Sequence, residues 1–459
     1  MRVPWSASPW RRVLVYGLGI SGRAAVRFLR HQGVAVLAIN DREPERLGLA
    51  EWSADDGVEV AAASAVNSLP DDIDGVVLSP GVPPDRPLVT LARERGLPVI
   101  GEIELAFPFI EGKVVAITGS NGKSTTTALT GSMLEAAGRA AVVCGNFGRP
   151  LVDCVGAEAD IYVTELSSFQ LESTDTFRPC AAVLLNLSPD HLDRHGDLAS
   201  YTAAKAAIFD NQQDDDIAVF NADDPIVVEI AQRIQSPRRR FFSHRSIVED
   251  GCYLEDGVVF EVAPGASRQP LFAARDVPVP GTHNLENAMA GALLARAVGV
   301  EAEQLASGLA AFKGLPHRVE RVLEQDGVVW YDDSKGTNFG ATSKSLEGFV
   351  DGTVHLILGG RSKGGDAGVL RDIVGRKVRR LYLIGEAAGE FDRILADMAP
   401  VERFGALDRA VVAASRQARA GEVVLLSPAC SSFDQYDNFM RRGEHFQRLV
   451  RALAEVANG

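Results

Sequence analysis

The sequence predicts an α/β fold of three domains, and three observations support this prediction. The chain has 459 residues, 46% of them apolar, which is more than one hydrophobic core usually serves. Short apolar segments alternate with amphipathic helical segments, as in parallel sheets covered by helices on both faces. Two glycine-rich loops each lie between such a strand and such a helix, an arrangement that holds phosphate groups at a helix N-terminus.

The N-terminal domain, residues 1–101, is predicted to be Rossmann-like, with strands and helices in alternation. The predicted elements are Val13–Tyr16, a helix from Arg23 to about Gln32, Val34–Ile39, Gly75–Leu78 and Leu88–Arg95. The first residues, which include Trp5, Pro9, Arg11 and Arg12, run into a short apolar stretch and then a glycine loop. We therefore expect the folded domain to begin here, without a signal peptide or a membrane span.

The central domain, residues 102–314, is predicted to be a P-loop ATPase-type parallel sheet with a small antiparallel sheet beside it. Its predicted elements are the strand Val114–Thr118, a helix that runs to about Ala137 and stops at Gly138, the strands Ile161–Glu165 and Ala181–Asn186, and a hairpin of Gly251–Leu254 and Gly257–Val262. Gly314-Leu315-Pro316 marks the next boundary, and a second Rossmann-like domain, 315–459, follows. Its predicted strands are Val328–Tyr331, Val354–Leu358, Arg380–Ile384 and Val423–Leu426.

Charge and cysteine content predict a cytoplasmic protein that binds neither nucleic acid nor a membrane. The formal net charge is −14, whereas nucleic acids and anionic membranes are bound mainly through an excess of Lys and Arg. The five cysteines are scattered and show no CxxC spacing, which argues against a disulfide framework and against a Cys-ligated zinc. Any anionic ligand must therefore be held by locally placed groups.

The loop from Gly119 to Thr125 carries the strongest local signal. It reads GSNGKST between a predicted strand and a predicted helix. Its glycines allow backbone N–H groups to converge on phosphate, Lys123 reaches the terminal phosphates, and Ser124 can ligate magnesium. The spacing between its glycines is shorter than in the GxxxxGK[ST] form, so generic P-loop enzymes are not the best match. The alternative is a glycine turn that caps a helix.

Glu165 and His191 lie at the sheet edge where a phosphate-transfer site would need them, and Lys205 is a further polar residue in a predicted helix. Glu165 ends an apolar strand, and open parallel sheets bind ligands at the carboxyl ends of their strands, where a carboxylate can hold magnesium. His191 follows another buried strand, and Lys205 lies in an Ala-rich helix. Taken singly, Glu165 is a surface residue or a helix cap, His191 a hydrogen-bonded loop residue, and Lys205 a lysine whose ammonium reaches solvent. The residues alone leave both interpretations open.

The loop Gly17-Leu18-Gly19-Ile20-Ser21-Gly22 matches the GxGxxG fingerprint of dinucleotide sites, in which an acidic residue, here Asp41, follows about 20 residues later. An NAD(P)-dependent oxidoreductase is therefore one alternative, and a nucleotide-sensing scaffold without chemistry is another. A nucleoside diphosphate satisfies the same geometry. A simple dehydrogenase also leaves the loop at Gly119 unexplained.

Polar motifs follow predicted strands in the last third of the chain. They are His317-Arg318, DDSKGTN at 332–338, GGRSKGGD at 359–366 and SPACSSFD at 427–434. Each alone is ordinary turn chemistry. Together, at the same edge of one sheet, they indicate a binding site.

The motifs GSNGKST, ELSSFQLE, NLSPDHLD, YTAAKAAIF, GTHNLENAMA, GLPHRVE, DDSKGTN and SPACSSFDQY, in this order, resemble those of the Mur ligase family over nearly the whole chain. The ELSSFQLE and SPACSSFDQ regions are similar to those of the members that add glutamate. The resemblance implies an ATP-dependent ligase of peptidoglycan synthesis that joins D-glutamate to UDP-N-acetylmuramoyl-L-alanine through an acyl phosphate. It also implies a monomer that uses ATP and two Mg²⁺ ions.

By this resemblance the domains bind, in order, the UDP moiety, the ATP phosphates with magnesium, and the adenine together with the amino acid. The implied catalytic residues are Lys123, Glu165, His191 and Lys205, and the implied metal ligands are Ser124, Glu165, His191 and a carbamylated Lys205. The implied ATP contacts are Gly119, Ser120, Asn121, Gly122, Lys123, Ser124, Thr125, Asn284, Asn287, Arg318 and Asp333. The implied UDP-substrate contacts are Gly19, Ile20, Ser21, Asn40, Asp41, Arg42, Gly81, Asn146 and Gln170. Glutamate is expected at Lys335, Thr337, Lys363, Ser432 and Phe439. Asn40-Asp41-Arg42 stands where the family commonly has Asp-Thr-Arg.

Overall fold

Three β-sheets organise the part of the chain that the computed structural model describes, namely residues 10–43, 52, 57–66, 68–279 and 281–457. Trp5 and Pro9, at the predicted start of the folded domain, lie outside the described residues. In the described part, no helix combines the length and the apolar character needed to cross a bilayer. The α/β fold class predicted from the sequence is confirmed.

The first sheet is wholly parallel, in the order β3-β2-β1-β4-β5. Its elements are β1 Arg12–Tyr16, α1 Ile20–His31, β2 Ala35–Asn40, β3 Val58–Ala62, β4 Gly75–Leu78, α2 Pro87–Glu94 and β5 Val99–Gly101. Helix α1 begins earlier than the predicted Arg23 because Gly22 belongs to its first turn. A Cβ atom at Gly22 would lie 1.8 Å from the Gly17 carbonyl oxygen, so glycine here lets the preceding loop pack closely against the first turn of the helix.

The central sheet has the order β14-β13-β12-β11-β10-β9-β6-β8-β7. Its strands are β6 Lys113–Thr118, β7 Ala141–Gly145, β8 Ile161–Glu165, β9 Ala181–Leu184, β10 Ile217–Asn221, β11 Arg238–Ser243, β12 Gly251–Glu255, β13 Val258–Val262 and β14 Gln269–Ala273. The predicted hairpin is the antiparallel pair β12 and β13. Because β12 also pairs in parallel with β11, these antiparallel strands extend the central sheet and do not stand apart from it. Strand β9 ends before the predicted Asn186, which lies in the following loop.

Helices accompany the central sheet in the chain order expected of an α/β domain. They are α3 Glu102–Ala106, α4 Lys123–Ala136, α5 Ser168–Leu171, α6 Leu192–His195, α7 Leu198–Ala206, α8 Pro225–Arg233, α9 Thr282–Ala297 and α10 Ala302–Ala311. Gly138, with φ of +71°, follows the end of α4, as predicted.

The third sheet has the order β15-β16-β20-β17-β18-β19, with only the β15–β16 pair antiparallel. Its elements are β15 Glu320–Gln325, β16 Val328–Asp332, α11 Phe339–Glu347, β17 Val354–Gly359, α12 Arg371–Lys377, β18 Val378–Ile384, α13 Ala388–Leu395, β19 Val401–Gly405, α14 Leu407–Gln417, β20 Val423–Leu426 and α15 Phe439–Ala457. All four predicted strands of this part are present within one or two residues.

The chain divides into two compact units, one of Met1–Asp276 with Asn287–Ala311 and one of Val277–Glu286 with Phe312–Gly459. In the first unit, one hydrophobic core contains Val15 of the first sheet and Val114 of the central sheet. In the second unit, separate cores cover the two faces of the sheet, since Leu356 and Leu358 belong to one and Ile357 to the other. This alternation is the one that the period of a β-strand dictates.

Candidate active site

The phosphate loop lies between the end of β6 at Thr118 and the start of α4 at Lys123. Gly119 and Gly122 have φ of +153° and +85°, and a Cβ atom at Gly122 would lie 2.2 Å from Asn287 Oδ1. Only glycine therefore fits at Gly122. Within α4, the first-turn N–H groups have no carbonyl to bind, and the helix dipole adds positive potential at this end. The predicted loop thus has the geometry of an anion site.

Asn186 braces this loop from the segment that follows β9. Its backbone oxygen accepts a hydrogen bond from Ser120 N (2.9 Å) and its Oδ1 from Asn121 N (2.8 Å), while its Nδ2 donates to Asn121 O (3.0 Å). No role for Asn186 was predicted from the sequence. The available signal was a polar side chain directly after a buried strand, at the sheet edge where the phosphate loop lies.

Lys123 folds over the loop, and its Nζ donates to the carbonyl oxygens of Gly119 (2.8 Å) and Ser120 (2.9 Å). This position keeps the ammonium directly at the glycine turn. Ser124 and Thr125 follow in the first turn of α4 and are buried. The cation and the helix N-terminus therefore act at the same place.

Lys205 is buried, with 1% of its surface exposed, so the interpretation as a lysine that reaches solvent is wrong. Its Nζ donates to Gly119 O at 2.8 Å and lies 4.8 Å from the centre of the Tyr201 ring. Burial, and next the nearby Lys123, hold the pKa of Lys205 well below its usual range. Tyr201 precedes Lys205 by one helical turn, and its hydroxyl also forms a hydrogen bond with Ser120 Oγ (3.0 Å). The i, i+4 spacing of Tyr201 and Lys205 could have indicated the contact between these two side chains.

Glu165 ends β8 and is 2% exposed. Its Oε1 accepts a hydrogen bond from Asn146 Nδ2 at 2.7 Å, whereas its Oε2 is buried without a hydrogen-bond partner among the described residues. A buried carboxylate oxygen without a donor is costly unless a cation or a ligand donor binds it. Glu165, together with the hydroxyl of Ser124 on the phosphate loop, thus offers the hard oxygen ligands that Mg²⁺ prefers.

His191 lies on the surface of the loop before α6, with φ of +54°. Its ring contacts the Phe169 ring edge to face at 5.0 Å between centroids, and its Nε2 lies 3.8 Å from Asp190 Oδ2. Asp190 in turn belongs to the groups that act electrostatically on Lys205. The structure therefore brings Lys123, Glu165 and Lys205 together and places His191 on the adjoining loop.

Gln170, an expected contact of the UDP substrate, caps a helix. Its Oε1 accepts hydrogen bonds from Ser167 N (3.0 Å) and Ser167 Oγ (3.1 Å), while Ser167 Oγ accepts from Gln170 N (3.2 Å). This reciprocal pair is a capping box at the start of α5, which fixes the chain directly after Glu165. Asn146, bound to Glu165, sits at the same edge of the sheet.

The N-terminal glycine loop is held by Asn40, whose Oδ1 accepts from Leu18 N at 3.0 Å. Asp41 accepts a hydrogen bond from the Tyr16 hydroxyl (2.7 Å) and forms an ion pair with Arg86 (2.5 Å). Burial and the bond to Asp41 raise the pKa of Tyr16 to about 12. Asp41 is therefore engaged within the protein, whereas a dinucleotide site uses this acid to bind a ribose. Gly19, Ile20, Ser21, Arg42 and Gly81 lie around the carboxyl ends of β1, β2 and β4.

In the second unit, Asp333 follows β16 and is 5% exposed. Its Oδ2 accepts hydrogen bonds from Ser345 Oγ and Ser427 Oγ, each at 2.7 Å. Burial raises the pKa of Asp333 to about 6, against the opposing effects of these hydroxyls and of Arg318. Asn284, an expected ATP contact, is 4% exposed at the start of α9.

Four of the residues expected to hold glutamate form two contacts. The Lys335 ammonium lies 4.0 Å from the centre of the Phe439 ring, and Lys363 Nζ donates to Thr337 Oγ1 at 3.3 Å. Ser432, the fifth, is 2% exposed on the segment after β20. Lys335, Thr337, Lys363 and Ser432 lie beyond the carboxyl ends of β16, β17 and β20, the edge that the sequence predicted for their motifs, and Phe439 begins α15.

Arg442 is a residue that the sequence analysis missed. It is 1% exposed and donates to Ser334 O (2.9 Å), Cys430 O (3.1 Å) and Ser431 O (3.3 Å). Burial lowers its pKa to about 10. Arg442 thus connects the loop after β16 to the loop after β20. In the sequence, its position one helical turn after Phe439 in α15 was the feature that could have indicated this role.

Comparisons with known proteins match the chain in three consecutive parts. The matching family models are described as Mur ligase MurD-like, N-terminal domain (residues 11–101), Mur ligase middle domain (117–295) and Mur ligase, glutamate ligase domain (317–430). The UDP-N-acetylmuramoylalanine–D-glutamate ligase of Acidobacterium capsulatum is 43% identical over 450 residues, 96% of each chain. The protein of the same name from Koribacter versatilis is 42% identical over 97% of this chain and 98% of its own.

Solved structures share the fold at lower identity. UDP-N-acetylmuramate-alanine ligase MurC from Thermotoga maritima superimposes with a TM-score of 0.61 at 19% identity, covering 96% of this chain and 99% of that chain. MurF ligase from the same organism, in complex with ADP, also has a TM-score of 0.61 at 19% identity, covering 97% and 96%.

The fold and the phosphate loop, with a buried carboxylate and a buried lysine beside it, define a nucleotide-dependent α/β enzyme of three domains. Within that class, the chain belongs to the Mur ligase family, because relatives 43% and 42% identical match it over nearly its whole length.

Proposed function

We propose that this Mur ligase joins D-glutamate to UDP-N-acetylmuramoyl-L-alanine, with ATP converted to ADP and phosphate, in cytoplasmic peptidoglycan precursor synthesis. The observation that carries the proposal is the similarity to D-glutamate ligases over at least 96% of the chain. The five cysteines are free, which agrees with a reducing compartment.

The reaction follows from the placement of charge. The carboxylate of the UDP-linked substrate attacks the γ-phosphate of ATP, and an acyl phosphate forms as ADP leaves. Lys123, held at the glycine turn, offsets negative charge that would repel the attacking carboxylate. The neutral amine of glutamate then attacks the acyl carbon, and phosphate leaves as the amide forms.

Magnesium, when bound, offsets further charge on the phosphates. The residues that would hold it are Ser124 and Glu165, with His191 and Lys205 at a second site. The buried Oε2 of Glu165 without a donor supports the first assignment.

The second assignment requires that Lys205 become anionic by carbamylation. In that step the neutral amine of Lys205 bonds to the carbon of CO₂ and releases a proton, which leaves a carbamate. Among the described residues Lys205 forms no ion pair and donates only to oxygens of Thr118 and Gly119. A buried ammonium without a carboxylate is costly, whereas the nearby Lys123, which disfavours the ammonium form of Lys205, would stabilise a carbamate there.

Specificity is assigned to the loops at the carboxyl edges of the sheets. The UDP moiety is assigned to segment 1–101, the ATP phosphates to 102–314, and the adenine with glutamate to 315–459. Lys335 and Lys363 are the cations for the two carboxylates of glutamate, and Thr337 and Ser432 supply hydroxyl donors. The engagement of Asp41 by Tyr16 and Arg86 supports a UDP ligand over the NAD(P) alternative.

The decisive experiment measures phosphate release from ATP with UDP-N-acetylmuramoyl-L-alanine and each candidate amino acid. D-glutamate is expected to support turnover, with L-glutamate, D-glutamine and lysine poor substitutes. Lys363→Ala should raise the KM for glutamate about ten-fold to a hundred-fold, since a charge-assisted hydrogen bond contributes roughly 1.5–3 kcal/mol, with little effect on the KM for ATP. Equal use of lysine and D-glutamate by the unmodified enzyme would place the chain on another branch of the family.

The carbamate has its own test. Lys205→Ala is expected to lose activity, and a short carboxylic acid to restore part of it. ¹³C NMR of the protein in ¹³C-bicarbonate should show a carbamate signal that Lys205→Ala lacks and Lys113→Ala, at the exposed start of β6, retains. Full activity of Lys205→Ala, or the same signal in both variants, contradicts the assignment.

A further inference from the structure

A cavity in the C-terminal unit lies at the edge of the third sheet opposite the loops assigned to glutamate. It has a volume of about 680 Å³, within the range of roughly 300–1,000 Å³ typical of small-molecule sites. The amino ends of β17, β18 and β20 and the carboxyl end of α14 form it. Its lining residues are Gly352, His355, Val378, Arg379, Arg380, Met398, Ala399, Pro400, Arg416, Gln417, Arg419 and Glu422.

The cavity concentrates positive charge in a chain of net charge −14. Four arginines line it against one carboxylate. Within the described residues, the guanidinium groups of Arg380, Arg416 and Arg419 form no hydrogen bond and no ion pair. Other arginines of the same unit are paired, since Arg371 binds Asp397 through two nitrogens and Arg403 binds Asp392. The cavity therefore has cationic donors to offer to a ligand.

The single carboxylate of the cavity, Glu422, is already engaged. Its Oε2 accepts hydrogen bonds from Arg419 N and pairs with His355 Nε2, each at 2.8 Å, and its Oε1 lies 3.8 Å from Arg379 Nε. His355 Nδ1 pairs with the Tyr382 hydroxyl at 2.8 Å. His355 and Tyr382 are buried and Glu422 is half-buried, and among the described residues the Glu422 carboxylate forms no ion pair with Arg380, Arg416 or Arg419.

We propose that this cavity binds a small anion that carries two or more phosphate groups. Guanidinium groups match phosphate oxygens in two-pronged geometry and stay charged at all physiological pH values. Met398 and Pro400 form an apolar wall beside the cations, which suits the organic part of a phosphorylated metabolite. The site is separate from the edge of the sheet where Lys363 and Ser432 lie.

Met398 provides a local reporter for the test. The chain has five methionines, and Met398 lines the cavity whereas Met133 and Met289 are fully buried in the first unit. Titration of full-length protein carrying ¹³C-methyl methionine with inorganic pyrophosphate, without magnesium, should shift the Met398 signal saturably. The Met398→Leu variant identifies the signal.

Arg380→Gln with Arg416→Gln should weaken the pyrophosphate affinity measured at Met398 by about ten-fold or more, because two charge-assisted donors are lost. The control is Arg393→Gln with Arg409→Gln, which removes the same charge from exposed positions outside the cavity. It should retain the affinity within about two-fold, since distant surface charges are screened by salt. The single variant Arg419→Gln serves if the double variant fails to fold. An unsaturable Met398 shift in the unmodified protein, or equal weakening in the control, overturns the proposal.

Discussion

Single buried charged residues mark both the proposed chemistry and sites that affect stability. Lys205 and Glu165 are almost wholly buried beside the phosphate loop, where their charged groups can interact with bound ligands. Glu102, in α3, is also 2% exposed, and its Oε1 accepts a hydrogen bond from Val152 N at 2.7 Å, while its Oε2 has no hydrogen-bond partner among the described residues. No step of the proposed reaction uses Glu102.

Lys123→Ala should abolish ligation while the protein stays folded. The Lys123 ammonium donates to the loop carbonyls of Gly119 and Ser120 and belongs to no hydrophobic core cluster of the described residues, so its loss removes little from the core. Removing one preorganised charge typically lowers the rate on the order of a hundred-fold or more. Single-turnover phosphate release, with circular dichroism as the check on folding, measures both effects. Lys113→Ala, at the other end of β6, is the matched control, and a folded Lys123→Ala enzyme with near-normal turnover contradicts the assignment of the loop.

Glu102→Gln should change how stability depends on pH. Burial raises the pKa of Glu102 to about 7 from 4.5, so the folded state holds a proton that the unfolded state has released between these values. Stability therefore falls as pH rises from about 4.5 to 7, by about 3 kcal/mol from this group. The glutamine variant lacks this pH dependence. The difference between its free energy of unfolding in urea and that of the unmodified protein should therefore favour the variant more at pH 8 than at pH 5.

A matched variant on the same helix tests the cause of that effect. Glu104 accepts hydrogen bonds from the backbone N–H groups of Asp175, Thr176 and Phe177 at 2.9–3.2 Å. Glu104→Gln removes part of this acceptor set and should destabilise the protein at both pH values. If Glu102→Gln and Glu104→Gln change the pH dependence of stability alike, the raised pKa of buried Glu102 is not the cause.

At the scale of elements, the junction between β6 and α4 depends on backbone geometry that only glycine adopts. Gly122→Ala places a side chain at φ of +85° and within 2.2 Å of Asn287 Oδ1. The strain costs about 1–2 kcal/mol before the clash is counted, and displacement of the loop should remove most activity. Gly138→Ala, with φ of +71° but open space around its Cβ, should lose stability only. Urea unfolding reports the backbone strain that both variants share, and turnover reports the clash that only Gly122→Ala introduces. If both variants have equal activity, the loop tolerates the contact with Asn287.

Most of the described strands that were not predicted from the sequence lie at sheet edges, although the interior strands β10 and β11 of the central sheet were missed as well. Strand β3 (VEVAA) and strand β19 (VERFG) lie at the edges of their sheets and are largely exposed or half-buried. Charged residues on an edge strand limit pairing with other chains, and they interrupt the apolar run by which a buried strand is recognised. The central strands β8 and β20 are apolar throughout, apart from Thr164 and Glu165 at the end of β8, and their predicted bounds match the structure.

At the scale of the whole molecule, the shared core of the first unit has a consequence for fragments of the chain. Residues 1–101 alone would expose apolar side chains that pack in one cluster with Leu151 and Val152. Residues 312–459 keep both of their cores. The C-terminal fragment should therefore give a dispersed ¹H–¹⁵N spectrum and cooperative unfolding, and the N-terminal fragment should be less stable and bind hydrophobic dyes. Equal stability of the two fragments contradicts this account.

The sequence by itself determined the α/β fold class, the phosphate loop, and the edge of each sheet at which polar motifs gather. These features follow from local rules, because strand period, glycine φ angles and the direction of parallel strands do not depend on distant residues. The tertiary structure decided which charges are buried and which are paired. Lys205 is enclosed through Thr118 and Gly119, far from it in sequence, and Asp41 is engaged by Arg86. Burial and pairing arise from contacts between distant segments, which the spacing of residues along one chain does not specify.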